Sequence, residues 1–191
     1  MVENAGDAMD ANMTSPLPVF KYHLDPVASG VVIKSDVVCM GCGKARGHIY
    51  VGPAFTTNKE VGNNICPWCI ADGSAAKQFD VEFSDGHWLA KAGLAWGILY
   101  EVLQRTPGYI CWQSDHWQTH CHDACVFHGD ATIEDVANAS RSTINAWKDD
   151  YNQTDEDWRR LSEGYRPGGH CCFYKFVCRR CGEIRLSWDL D

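Results

Sequence analysis

Apolar and polar positions change period several times along this chain. Residues 1–16 are small and polar with no period, which predicts an unordered tail. From Leu17 the chain turns apolar, and P-V-F-K-Y-H, opening at Pro18, predicts a short strand. V-V-I-K-S-D-V-V and H-I-Y-V-G-P predict two strands of a hairpin around the turn C-M-G-C-G-K. C-P-W-C-I-A-D-G-S-A-A-K-Q-F reads as a helix opening with Pro67 where a missing N–H costs nothing, with Gly73 able to break it. Residues 87–104 carry the clearest helical stripe, through Trp88, Ala92, Ala95, Leu99 and Val102 or Leu103, and T-P-G-Y stops it. Thr132 with Asp135 predicts a capping box for a helix through about Trp147, and Thr154 with Asp157 another to Glu163. The C-terminal C-C-F-Y-K-F-V-C-R-R-C-G-E-I-R-L-S-W reads as strand, knuckle, strand.

The two turns inside those hairpins change the picture from a pattern to a chemistry. C-M-G-C-G-K and C-R-R-C-G-E share one design: two cysteines across a tight turn, then a Gly (Gly43, Gly182) free to adopt left-handed backbone. With Cys66 and Cys69 at the predicted helix start, Cys39 and Cys42 complete the four-thiolate set preferred by structural Zn²⁺. A knuckle hairpin followed by a pair at a helix N-terminus is a treble-clef-like arrangement. Redox thiols and inert cysteines are the weaker alternatives. A closed four-cysteine shell leaves no position for water or substrate, so this metal holds a fold rather than performs a reaction.

The C-terminal pair, Cys178 and Cys181, needs two more ligands. H-C-H-D-A-C supplies Cys121 and Cys125, which one helical turn would place on the same side, with His120 and His122 as possible substitutes. The alternative makes Cys121 and Cys125 small core residues. Cys111, Cys171 and Cys172 fit no ligand spacing and read as packing residues; in a strand, Cys171 and Cys172 point to opposite faces.

Composition bounds the rest. At 191 residues and 45% hydrophobic, with eight Trp, the chain is long enough and apolar enough for a packed core. No run reaches the length of a membrane span, and no secretory signal is evident. Eleven cysteines without an export signal are expected in the reducing cytoplasm, as metal ligands rather than disulfides. The formal net charge is -8, and two all-thiolate zinc centres would deepen it to about -12. Few and scattered basic residues make nucleic acid an improbable partner. Simple solubility explains the acidic balance, and a basic protein partner is the sharper reading. Asp115, His116, His120, His122 and Asp123 crowd Cys121. No nucleophile elbow, phosphate loop or open metal triad accompanies them, so catalysis is not expected.

Several long strings resemble the CbrC family of bacterial proteins. They include F-K-Y-H-L-D-P-V-A-S-G, C-P-W-C-I-A-D-G-S-A-A-K-Q-F-D, R-T-P-G-Y-I-C-W-Q and W-Q-T-H-C-H-D-A-C-V-F-H-G. The resemblance covers about residues 17–130 and 173–191. It implies tolerance to a DNA-cleaving colicin and an immunity role beside a toxin.

These readings combine into an α+β protein. A treble-clef-like module over residues 17–80 packs on a helical and β-hairpin part over 81–191, as a single compact domain. The expected function is a non-enzymatic, zinc-stabilised immunity protein that neutralises a basic toxin, with a nuclease as its sharper form. The alternative is a zinc-stabilised regulatory or nucleic-acid-binding adaptor. The toxin is expected to meet Glu134, Asp135, Asp149, Asp150, Asp155 and Asp157, with Trp147 or Trp158 as an aromatic anchor.

Overall fold

The computed structural model describes residues 16–113 and 115–190, so most of the N-terminal tail lies outside the described residues. Strands β1 (Val32–Lys34) and β2 (His48–Tyr50) pair antiparallel, with Ile33 opposite Ile49, and the loop between them carries Cys39 and Cys42. Helices α1 (Pro67–Ala71) and α2 (Ser74–Phe79) follow, parted at Gly73, whose φ of 76° is left-handed. Val31, Val32, Ile49, Ile65, Ile70 and Phe83 close a first core directly against Cys39, Cys66 and Cys69.

The apolar stripe over 87–104 is not one helix. Gly93 turns left-handed and donates its N–H to the Ala90 carbonyl, which ends α3 (His87–Lys91), and α4 (Trp96–Arg105) starts afresh after the extended Ala95. This is a left-handed glycine C-cap. Leu89, not Trp88, therefore becomes the fully buried residue of α3, while Val102 and Leu103 bury as the stripe expects.

The segment expected as a strand at residues 18–23 contributes a single bridge. His23 lies parallel to Phe127, the Phe127 N–H reaches the Tyr22 carbonyl, and the Leu24 N–H reaches the Phe127 carbonyl. It thereby ties the N-terminal region to β5 (Val126–Asp130). That strand is one edge of a three-stranded antiparallel sheet completed by β6 (Cys171–Val177) and β7 (Ile184–Leu190), with Phe173 opposite Trp188. A short hairpin, β3 (Thr119–His120) with β4 (Asp123–Ala124), precedes it.

The two faces of this sheet carry two cores, as the pleat requires. Cys172, Tyr174 and Phe176 join Tyr109, Trp117 and Phe127 on one side. Phe173 and Leu186 join α5 (Ile133–Ala137), α6 (Arg141–Tyr151) and α7 (Asp155–Ser162) on the other, and Cys171 packs there, opposite Cys172. Both capping boxes are present: the Thr132 hydroxyl takes the Asp135 N–H and the Thr154 hydroxyl takes the Asp157 N–H. The first helix stops ten residues early, however, because Ser140 caps a new one by accepting the Thr143 N–H. The architecture is mixed α+β, built from small sheets and short helices.

Trp147 and Trp158 are not surface anchors. Trp147 is 1% exposed, with Trp158 at 5.3 Å, Trp188 at 5.4 Å and Phe173 at 5.9 Å between ring centroids. The amphipathic faces of α6 and α7 turn these indoles inward, because a domain edge with one sheet face to cover needs large apolar side chains there.

Candidate metal centres

The two knuckles are built from the same pair of backbone hydrogen bonds. In the first, Gly43 N–H meets the Cys39 carbonyl at 2.8 Å and Cys39 N–H meets Lys44 at 3.0 Å. In the second, Gly182 N–H meets Cys178 at 2.9 Å and Cys178 N–H meets Glu183 at 2.8 Å. Gly43 and Gly182 take φ of 67° and 77° to close these turns. Gly41 eases the approach of the sulfurs, since a Cβ there would stand 3.3 Å from the Cys69 sulfur and 3.6 Å from that of Cys39.

Cys39, Cys42, Cys66 and Cys69 gather with their four sulfurs within 4.8 Å of one another. Cys39–Cys69 and Cys42–Cys66 are 3.8 Å apart and Cys66–Cys69 3.6 Å. A tetrahedron with metal–sulfur bonds of about 2.3 Å has edges of about 3.8 Å, so the spacing suits a four-coordinate ion. It is far too long for a disulfide bond of about 2.05 Å. The Cys39 thiol is lowered to about 4, by its hydrogen bond with the Cys66 thiol and by the N–H groups of Cys66, Cys42 and Gly41. Its hydrogen-bond partner Cys66 is correspondingly raised.

The second cluster differs from the one expected. His120, Cys121, Cys178 and Cys181 come within 4.8 Å, and Cys125 is not among them. His120 Nδ1 stands 3.3 Å from both the Cys121 and Cys181 sulfurs, which are 3.8 Å from each other. The expected helical turn is a hairpin whose two turn residues, Cys121 and His122, have φ of 52° and 56°. A two-residue turn with both φ positive matches the twist of the flanking strands. It presents Cys121 outward at the tip and leaves His120 on the strand beside it. Cys125 follows the alternation Asp123, Cys125, Phe127 into the core, where it is fully buried and its carbonyl accepts the Trp117 indole N–H at 3.0 Å. That period of two was the available signal. Left-handed backbone at two bulky residues is strain, of the kind that persists where a site over-determines it. Cys178 is half-prepared as a ligand: despite burial, the N–H groups of Cys181 and Arg180 pull it down to about 6.

Asp123, expected only as part of a crowd, ties this cluster to the rest of the chain. Its carboxylate accepts the Tyr22 hydroxyl at 2.7 Å and faces Arg179 at 3.7 Å and Arg180 at 3.9 Å, both from the knuckle loop. Asp115 lies apart, accepting the Asp85 N–H, and the His116 ring stacks on Trp88. No nucleophile–base pair outside the cluster emerges from them among the described residues. Burial raises the Cys111, Cys171 and Cys172 thiols to about 12, 11 and 12, which keeps them neutral, as packing residues should be.

The acidic group is mostly committed within the molecule. Asp135 caps α5 and pairs with Lys175 at 2.5 Å; Asp150 pairs with Arg185 at 3.0 Å. Asp155 bridges Lys148 and Arg141, and Asp157 caps α7 and meets Arg160. Glu134 and Asp149 are exposed, with no such partner among the described residues.

Comparison with known proteins finds relatives along most of the chain. The UPF0167 protein PA1536 of Pseudomonas aeruginosa is 42% identical over 179 residues, covering 94% of this chain and 99% of that one. UPF0167 proteins Mb2317 of Mycobacterium bovis and MT2352 of Mycobacterium tuberculosis are each 36% identical over 175 residues, covering 90% of this chain and 92% of theirs. No solved structure matches significantly. The family model that matches, over residues 17–190, is described as "Uncharacterised protein family (UPF0167)". This corrects the resemblance to the CbrC family: neither that name nor a colicin-related activity is shown for the matching proteins. The chain belongs to the UPF0167 family.

Proposed function

We propose that this chain is a non-catalytic binding protein whose fold is held by two structural zinc ions. One observation carries the reading: two separate sets of four ligand atoms, one all-cysteine and one of three cysteines and a histidine, each drawn within 4.8 Å. Cys₄ and Cys₃His are donor sets of structural zinc, and four protein donors leave no open position for water or substrate. With His120 and Cys121 both engaged at such an ion, neither is free as base or nucleophile. The knuckle followed by a pair at the start of α1 supports a treble-clef-like module for the first site.

The partner we propose is a basic protein, with a toxin neutralised by this chain as the specific form. The support is charge. The formal value of -8 falls further to about -11 when an all-cysteine site and a three-cysteine site bind zinc, and repels nucleic acid. None of the eleven cysteines is joined in a disulfide, which supports a reducing, cytoplasmic setting.

Native mass spectrometry of the purified protein tests the scaffold. Two zinc ions per chain are expected. His120→Ala and Cys121→Ser should each lose one, and Cys66→Ser should lose the other together with solubility, while Cys125→Ala keeps both. Retention of both ions by His120→Ala would overturn the second site. Salt-dependent binding to a basic toxin encoded beside the gene tests the partner, and salt-dependent binding to plain DNA instead would overturn it.

A further inference from the structure

Away from both cysteine clusters, a hollow of about 190 Å³ opens between α3, the end of α6 and β7. Its walls are aromatic, from Trp88, Tyr109, Tyr151, Tyr174 and Trp188. Its polar groups come from Gln113, His116, Ser187, Asp189 and the tyrosine hydroxyls. Asp189, only 4% exposed, accepts the Trp112 N–H at 2.7 Å, the Gln113 N–H at 3.5 Å and the Tyr174 hydroxyl at 3.2 Å. All three fall on Oδ2, so Oδ1 takes no hydrogen bond among the described residues. Tyr151 and His116 also line the hollow; His116 Nδ1 is buried without a hydrogen bond among the described residues, and the buried Tyr151 hydroxyl makes no well-formed one, with the Ser187 hydroxyl and the Trp188 N–H nearby.

Buried polar atoms almost always have partners, so the polar atoms of this hollow are met either by water or by a ligand that displaces it. Burial, with Arg185, Lys91 and His87 nearby, lowers His116 to about 4, so its ring is neutral and one nitrogen can accept. Asp189 Oδ1, His116 Nδ1 and the Tyr151 oxygen are then three acceptors inside aromatic walls. A primary ammonium has three N–H donors and no acceptor, and aromatic faces attract cations. Asp189 is the buried carboxylate in its wall and Arg185 is paired with Asp150; Trp88 is itself taken, with Lys91 over its ring at 4.8 Å and His116 stacked on it, so Asp189 supplies the attraction. The His116 ring is held between Trp88, at 4.1 Å, and Tyr151, at 5.2 Å, so the hollow is formed in advance.

We propose that this hollow binds the ammonium head of a primary alkylamine. A larger hollow of about 460 Å³ shares Tyr109 and Gln113 with it. Pro53, Phe55 and Ile110 give that second space an apolar lining for the alkyl chain. The amine is either a small free molecule or the lysine side chain of a partner protein, and the chemistry is the same.

The test is calorimetric titration of the zinc-replete protein with n-butylammonium, with n-butanol and tetramethylammonium as controls. Butylammonium should bind saturably and at least about tenfold tighter than butanol, which lacks the charge, and than tetramethylammonium, which lacks the N–H donors. Tyr151→Phe should weaken butylammonium roughly fivefold while leaving Tm nearly unchanged, because the lost hydroxyl makes no well-formed hydrogen bond within the protein. Butanol binding as tightly as butylammonium, or full affinity in Tyr151→Phe, would overturn the proposal; so would absence of saturable amine binding. N-acetyl-lysine-methylamide binding as well as butylammonium identifies the protein source, and its exclusion identifies the free amine.

Discussion

Gly43 and Gly182 offer the sharpest test of the two knuckles, because the cost of replacing them separates into two parts. Each closes its turn with φ near 70°, and a Cβ added at either would meet nothing within 4 Å. No clash contributes, so alanine there pays only for left-handed backbone, about 1–2 kcal/mol. The unfolded chain loses freedom with the added methyl, which returns about 0.4–1 kcal/mol. The net is about 1 kcal/mol against the knuckle, or roughly fivefold in apparent zinc affinity where binding and turn formation are coupled. Asparagine tolerates this backbone better and should cost less than alanine. Gly62 is the control: its φ lies outside the left-handed region and its Cβ would also meet open space, so Gly62→Ala should stabilise slightly. The assay is competition for zinc against a chromophoric chelator, with thermal unfolding alongside. If Gly43→Ala and Gly182→Ala behaved like Gly62→Ala, or asparagine cost more than alanine, the backbone argument would be wrong.

Two further outcomes follow from buried groups. Burial, with the Asp85 carboxylate nearby and only in part offset by the Asp85 N–H, raises Asp115 from 3.8 to about 6. A raised acid favours the folded state only while protonated, so its contribution falls as pH climbs from 3.8 to about 6 and is flat above. The difference in unfolding free energy between wild type and Asp115→Asn should change by about 2–3 kcal/mol across that window, and a flat difference would refute the linkage. Trp147→Ala should cost about 3–5 kcal/mol of stability by opening a cavity among Trp158, Phe173 and Trp188. A stable Trp147→Ala protein with a selective loss of partner binding would return that indole to an interface.

Devices confined to a few neighbouring residues were legible along the chain. The cysteine pairs with their following glycines, the boxes at Thr132/Asp135 and Thr154/Asp157, and the break at Gly73 all rest on bonds between residues three to five apart. Such bonds depend on residue type and backbone freedom, which the sequence states directly. Length was harder to read, because Gly93 and Ser140 stop helices through single backbone conformations that a continuing apolar or polar period hides.

Whatever depends on which surfaces meet was left to the tertiary structure. From the sequence, Cys121 and Cys125 are equivalent candidates at helical spacing; folded as a hairpin, the turn sends Cys121 toward Cys181 and the pleat sends Cys125 into the core, so His120 takes the ligand position. Trp147 and Asp150 read as a possible contact surface until the sheet face at Phe173 and the Arg185 side chain claim them. The aromatic hollow joins residues from Trp88 to Asp189, a set with no spacing to recognise. The sequence determines local turns and caps because their free energy is settled within a few residues. Ligand choice, burial and cavities are set by packing between distant segments, where one period of two or one left-handed residue redirects every side chain that follows.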